Sequence, residues 1–421
     1  MHSGKDERFN KLRSTGVSAR VEKGKIVVDA SGLVSPVESI KEDPSSLLIQ
    51  EVIVTEQEQS IVDKPEKDDS SSTQGREKME NTKNIYGTGL DVGTAFLVSA
   101  RLNDSSEIMY KSYRDAFYTL KPVSKINAKF IQKGLDERGF DYAYDGDEFV
   151  ITGAGAITMA NERRESVRRP LSRGVISPKE KYALPMLKRI IANLVGTARV
   201  PGEKCVYSVP AKPVDSDFNI TYHTTVINNF LLQELGFEPI PLNEAEAIVY
   251  AELMGEGLTG ITLSFGAGMV NVCVASSGDP IIKFSVAHGG DFIDNEVARS
   301  VDVTPELAQA EKESPDFSLN APSGSIQEAI SIHYSDLITY ILQQIEYEFK
   351  RLVDRREMPV FKNPLTVIVS GGTSKPQGFI DRFNECIAKV ALPINIKEIR
   401  PASDPLTAVA KGCLFYALEG L

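Results

Sequence analysis

Long apolar runs are missing from this chain of 421 residues: none reaches the roughly 20 residues that a helix needs to cross a bilayer. The start, Met1-His-Ser-Gly-Lys-Asp-Glu-Arg, is too polar for a secretory signal. Cysteine is scarce. Cys205, Cys273, Cys386 and Cys413 stand far apart in apolar segments with no CxxC pair, which points to reduced, buried thiols in a reducing compartment. His2, His223, His288 and His333 lack metal-ligand spacing and are read as structural or surface residues. Positive charge is also in deficit: 47 Lys and Arg against 58 Asp and Glu leave a net charge of −11, which argues against a nucleic-acid-binding surface as the main function. The expectation is a cytoplasmic protein with no transmembrane segment and no nucleic-acid partner.

What is present suffices for a large core. The chain is 42% hydrophobic and 25% charged, compatible with two or three domains. It divides near residue 84. Residues 1–84 are rich in Glu, Lys, Ser, Asp and Gln, and the stretch 55–83 has almost no apolar period, so burial cannot offset its ordering entropy. A disordered polar tail is expected there. Within it, residues 19–29 fit a short hairpin, and 46–55 is read either as a strand or helix for a protein partner or as a sticky stretch of tail.

From Tyr86 onward strand-like and helix-like patterns alternate. Strands are expected over 89–102, 148–152, 205–209, 261–265, 271–275 and 365–370. Helical spacing covers 178–194, 225–235 (ended by Gly236) and the long run 325–356, with Ile330, Leu337, Ile341, Ile345 and Phe349 on one side. Such alternation implies an α/β fold with sheets covered by helices.

Three apolar runs end in glycine turns: Gly89-Leu-Asp91-Val-Gly93-Thr94, Leu263-Ser264-Phe-Gly266-Ala267-Gly268, and Val367-Ile-Val-Ser370-Gly371-Gly372-Thr373. Each alone is as well explained by a strand meeting an ordinary loop. A tight glycine turn also presents backbone amides, and only glycine lets the backbone approach a phosphate closely. Two such turns can grip one polyphosphate from opposite sides.

The order and spacing of these motifs resemble the actin-like ATPase superfamily, closest to the bacterial cell-shape actins, over nearly everything from Gly87 on. The turn Asp91-Val-Gly93-Thr94-Ala95 resembles the first phosphate loop, and residues 151–159 followed by 169–176 are similar to a stretch typical of the cell-shape actins. Pro241-Leu-Asn243-Glu244 resembles the connecting segment that carries the water-polarising residue. Ser264-Phe-Gly266-Ala267-Gly268 resembles the second phosphate loop, His288-Gly-Gly290-Asp291-Phe-Ile-Asp294 the signature after it, Ser370-Gly371-Gly372-Thr373 the adenosine loop, and residues 404–412 the closing helix.

The resemblance implies a two-lobed fold with two ribonuclease-H-like domains, residues 85–242 and 243–421, the last helix packing back on the first lobe. ATP would lie in the cleft between them. It assigns Mg²⁺ to Asp91, phosphate contacts to Gly93, Thr94, Ala95, Gly266, Ala267, Gly268 and Gly290, and the adenosine side to Gln309, Lys312, Gly371, Gly372 and Thr373. Glu244 would orient the attacking water, the main need when phosphoryl transfer depends on positioning. The residues also have plainer readings. Asp91 can cap a turn, Glu244 can be a helix N-terminal acid favoured by the dipole, and Gln309 and Lys312 can sit on a solvated helix face.

Departures from the pattern bear on hydrolysis. Ser264 stands where an Asp usually helps hold the metal, Met269 where a threonine usually faces phosphate, and Ile157 where many relatives have a lysine. Backbone amides and glycines supply much of the grip on nucleotide regardless. The leading expectation is a nucleotide-dependent cytoskeletal filament protein with slow hydrolysis. The alternatives are a non-polymerising chaperone-like or scaffold protein switched by nucleotide, and a small-molecule kinase for which no sugar-binding motif is seen.

Overall fold

The computed structural model describes residues 86–419 except Asp145 and Arg164, together with the backbone of two N-terminal strands. Those strands, β1 (Ser18–Glu22) and β2 (Lys25–Asp29), pair antiparallel with Glu22 opposite Lys25, forming the hairpin expected over 19–29. The rest of residues 1–84, including the 46–55 stretch, lies outside the described residues.

The chain then enters β3 (Gly87–Val92), turns at residues 93–95 into β4 (Phe96–Leu102), and returns as β5 (Ile108–Arg114). The single strand expected over 89–102 is therefore a hairpin. Its turn is so tight that a Cβ on Gly93 would lie 2.6 Å from the Phe96 carbonyl oxygen. A small sheet of order β6-β8-β7 follows, from β6 (Phe117–Leu120), β7 (Tyr142–Tyr144) and β8 (Phe149–Thr152). Helix α1 (Lys125–Glu137) connects β6 to β7, and α2 (Gly153–Arg163) leaves β8. Next, β9 (Leu171–Ser172) and β10 (Val175–Ile176) form a two-residue hairpin. Its turn residues Arg173 and Gly174 have φ of 50° and 72°, the pair of positive values that a tight I′ turn needs.

Helix α3 (Ala183–Val195), β11 (Lys204–Val209), α4 (Thr221–Gln233) and β12 (Glu238–Asn243) complete the first large sheet, of order β12-β11-β3-β4-β5. Strands β11 and β12 run parallel to β3, while β4 and β5 form an antiparallel meander with it.

The plan then repeats. After α5 (Glu244–Glu252) come the meander β13 (Gly260–Phe265), β14 (Val270–Ser276) and β15 (Asp279–Val286) and the helices α6 (Gly290–Val301), α7 (Pro305–Lys312) and α8 (Gly324–Arg355). Strand β16 (Leu365–Ser370), α9 (Phe379–Ile387), β17 (Ile396–Pro401) and α10 (Ala408–Glu419) finish the chain. The second sheet has the order β15-β14-β13-β16-β17, with β16 and β17 parallel to β13. The two opening hairpins also correspond in sequence. Gly87, Leu90, Asp91 and Gly93 stand at the spacing of Gly260, Leu263, Ser264 and Gly266. Side chains of β13–β16 and α8, among them Phe265, Ile330, Ile341 and Phe349, build the largest core cluster, each contributing roughly 1.5–3 kcal/mol by full burial.

Helices α5 and α10 lie between the sheets and pack on each other, α10 against β3 and β11 and α5 against β13 and β14. Small residues make this possible. A Cβ on Gly412 would fall 1.8 Å from the Ala247 carbonyl oxygen, and one on Gly89 would fall 2.1 Å from that of Ala410. Cys205, Cys273, Cys386 and Cys413 are all buried and free.

Candidate functional site

The turns that follow β3, β13 and β16 converge on one cavity of about 580 Å³. Its walls include Asp91, Gly93, Thr94 and Ala95 from the first turn, Ser264, Gly266, Ala267, Gly268 and Met269 from the second, and Gly371, Gly372 and Thr373 from the third. Glu244, Gly290, Gln309 and Lys312 complete the set singled out in the sequence. Ile157 does not line it. That residue packs, half-buried, beside the small sheet, so its difference from a lysine removes nothing from this wall.

The glycines bring backbone against backbone. A Cβ on Gly268 would lie 2.7 Å from Thr94 Oγ1 and 2.8 Å from the Arg173 Cα, and one on Gly289 would lie 2.5 Å from the Ala267 carbonyl oxygen. Gly371 has φ of 92°, and its Cβ would sit 2.3 Å from the Phe265 carbonyl oxygen. The amide of Gly174, delivered by the β9–β10 hairpin, donates to Thr94 Oγ1 at 3.0 Å. The amides of Thr94, Ala95, Ala267 and Gly268 find no acceptor among the described residues. Unpaired amides on two facing turns suit an anion. Gly290 offers no such donor, because its amide donates to the Gly266 carbonyl at 3.0 Å.

Asn243 caps α5, its side chain accepting from the amides of Ala245 (3.1 Å) and Glu246 (3.2 Å). This leaves Glu244 as the first helical residue. The helix dipole favours an ionised acid there, yet Glu244 is only 8% exposed, and burial raises its pKa to about 8 with the charge of Asp91 adding to the rise. Ser264 Oγ donates to Glu244 Oε2 at 3.3 Å and works the other way. Burial likewise lifts Asp91 to about 6, opposed by Ser208 Oγ, which donates to Asp91 Oδ1 at 2.8 Å while accepting from the Val92 amide.

Among the described residues no basic side chain forms an ion pair with either acid. Lys312, the basic candidate from the sequence, donates instead to Asp294 Oδ2 at 2.7 Å and to the Gly290 carbonyl at 2.9 Å. Two desolvated carboxylates with hydroxyl partners but no basic one fit a proton or a cation. Among the described residues no group of three or more His, Cys, Asp and Glu could hold a metal alone. One or two carboxylates suit magnesium, which keeps several waters and takes further oxygens from phosphates.

Gln309 Nε2 donates to Glu313 Oε1 at 2.8 Å, and Glu313 also meets Arg114 at 3.6 Å. Arg114 in turn lies over the Phe96 ring, 4.2 Å from its centre. The sequence motifs do not include Ser208, which supports Asp91, or the wall residues Arg114, Glu313 and Tyr334, the last donating its hydroxyl to the Thr373 carbonyl at 3.0 Å. Only Ser208 left a signal, standing near the end of the strand beside β3.

Two five-stranded sheets on one repeated plan, with three glycine turns meeting at a cavity, give an actin-like fold. Solved structures agree. The MamK double helical filament is similar at 16% identity and TM-score 0.55, over 79% of this chain and 99% of that one. MreB5 of Spiroplasma citri bound to ADP is similar at 16% and 0.53, and MreB 5 bound to AMPPNP at 15% and 0.55, each over 79% of this chain and 96% of the other. The volactin profile matches residues 86–417, and the chain belongs to that family. No curated protein matches it.

Proposed function

We propose that the protein binds ATP with Mg²⁺ in the cavity and assembles into nucleotide-dependent filaments in the cytoplasm, hydrolysing the nucleotide slowly. One observation carries the nucleotide part: unpaired amides of two facing glycine turns line the same cavity as Asp91 and Glu244. In this reading residues 85–242 and 243–421 are the two lobes. Asp91 holds the hydrated metal, whose chemistry is to neutralise phosphate charge. The amides of Thr94, Ala95, Ala267 and Gly268 take phosphate oxygens, Gly372 and Thr373 border the adenosine, and Glu244 orients water. The likeness to a MamK filament supports head-to-tail assembly, a contact that does not close into a ring.

A second reading, a non-polymerising switch, draws support from Ser264. A hydroxyl bonded to Glu244 stands where a second acid would hold metal. Sedimentation with magnesium and ATP, ADP or no nucleotide, with phosphate release followed in the same tubes, separates the two. The filament reading expects pelleting with ATP and phosphate release reduced about 100-fold or more by Glu244→Ala, the scale of loss for a positioning group. ATP binding with neither pelleting nor phosphate release would overturn it in favour of the switch.

A further inference from the structure

Helix α1 carries apolar residues on two opposite sides. Ala128, Ile131 and Leu135 face inward against the small sheet's core. On the other side Ile126 and Phe130, one turn apart, are each 71% exposed, and Val123, just before the helix, is 90% exposed. The start of the helix is pinned: Ser124 Oγ accepts from the Asn127 amide at 3.1 Å, and Asn127 Oδ1 accepts from the Val123 amide at 3.1 Å. Val123 is thus held next to the exposed row rather than left on a free loop.

Beside this row runs a second one. Lys125, Lys129 and Lys133 recur every four residues along one flank, and Lys121 precedes them at the same interval. Lys121 pairs with Asp147 and Lys133 with Glu137, while Lys125 and Lys129 make no ion pair among the described residues. The first turn of α1 holds no acid, so Lys125 sits at the positive end of the helix dipole, where a cation is disfavoured. In a chain of net charge −11 this stripe is a local reversal of sign.

We propose that α1 lays its outer face on an anionic lipid surface, Val123, Ile126 and Phe130 entering the headgroup boundary and Lys125 and Lys129 pairing with lipid phosphates. An apolar row flanked by lysines on a convex helix is the layout of a helix lying in an interface. Three apolar side chains and their lysine stems fall short of the area that a stable protein–protein contact buries, whereas a lipid surface also supplies a field that draws each lysine.

The test is flotation of the full chain with vesicles of phosphatidylcholine alone and of phosphatidylcholine with 30% phosphatidylglycerol, compared with Ile126→Ser/Phe130→Ser and Lys125→Glu/Lys129→Glu variants. All four positions are exposed, and unchanged melting curves would show that the variants fold. The expected result is flotation with anionic vesicles only, reduced at least fivefold in both variants and by raised salt. Absence of flotation, or flotation that both variants retain, would overturn the proposal. Loss of self-association in vesicle-free tubes, with lipid binding unaltered, would assign the face to a second copy and overturn it as well.

Discussion

At the scale of single residues, the buried acids and one histidine set the protein's response to pH. His223 in α4 is 1% exposed, neither ring nitrogen has a hydrogen-bond partner among the described residues, and burial lowers its pKa to about 4. The unfolded chain takes up this proton near pH 6.5, the folded one only near 4. The neutral ring therefore contributes stability above pH 6.5 that is lost as pH falls towards 4, by about 3 kcal/mol in all. Asp91 and Glu244 act in the opposite sense. Their raised values favour the folded state at low pH, an advantage lost as pH rises through about 6 and about 8. Comparison with a His223→Leu variant isolates the histidine. Urea unfolding from pH 7 to 4 should show a shallower loss in the variant, by about one proton's slope, and equal slopes would reject the assignment.

At the scale of elements, glycine decides which surfaces touch. Gly412→Ala places a methyl group 1.8 Å from the Ala247 carbonyl, so α10 must move off α5, at a cost of about 1–3 kcal/mol or more. Gly134 in α1 has nothing within 4 Å of its missing Cβ, and Gly134→Ala should stabilise by roughly 0.5–1 kcal/mol. Thermal unfolding of the two variants should therefore shift in opposite directions, and matching shifts would refute this account of the α5–α10 contact. The same physics explains how much of the fold was legible in the sequence. The glycine turns could be read because close approach and positive φ exclude other residues. The start of α5 could be read because Asn243 is a side-chain cap. Helices α3 and α4 follow Tyr182 and Ile220, neither of which provides a side-chain cap, and their true starts lie five residues after and four residues before the expected ones. Lys312 with Asp294, and Arg114 with Glu313, pair across long stretches of chain that leave no periodic trace.

At the scale of the whole molecule, the two sheets repeat one strand order, and Asp91 of the first half corresponds to Ser264 of the second. Ser264→Asp would give both halves an acid. Placed beside Glu244, a further carboxylate should lower the melting temperature by a few degrees without magnesium, about 1–2 kcal/mol, and should enlarge the stabilisation by magnesium with ATP. A variant that melts like the parent under both conditions would show that this position does not face the acids.

The mismatch between the two hairpins also gives the cavity a direction. Walls that were true copies would accept a ligand in either of two orientations related by their symmetry. With an acid on one bank and a hydroxyl on the other, the two orientations would differ in energy, and a bound ligand would point the same way in every molecule. Copies stacked head to tail, as proposed, would add these arrows instead of cancelling them, and the two ends of such a stack would be chemically distinct.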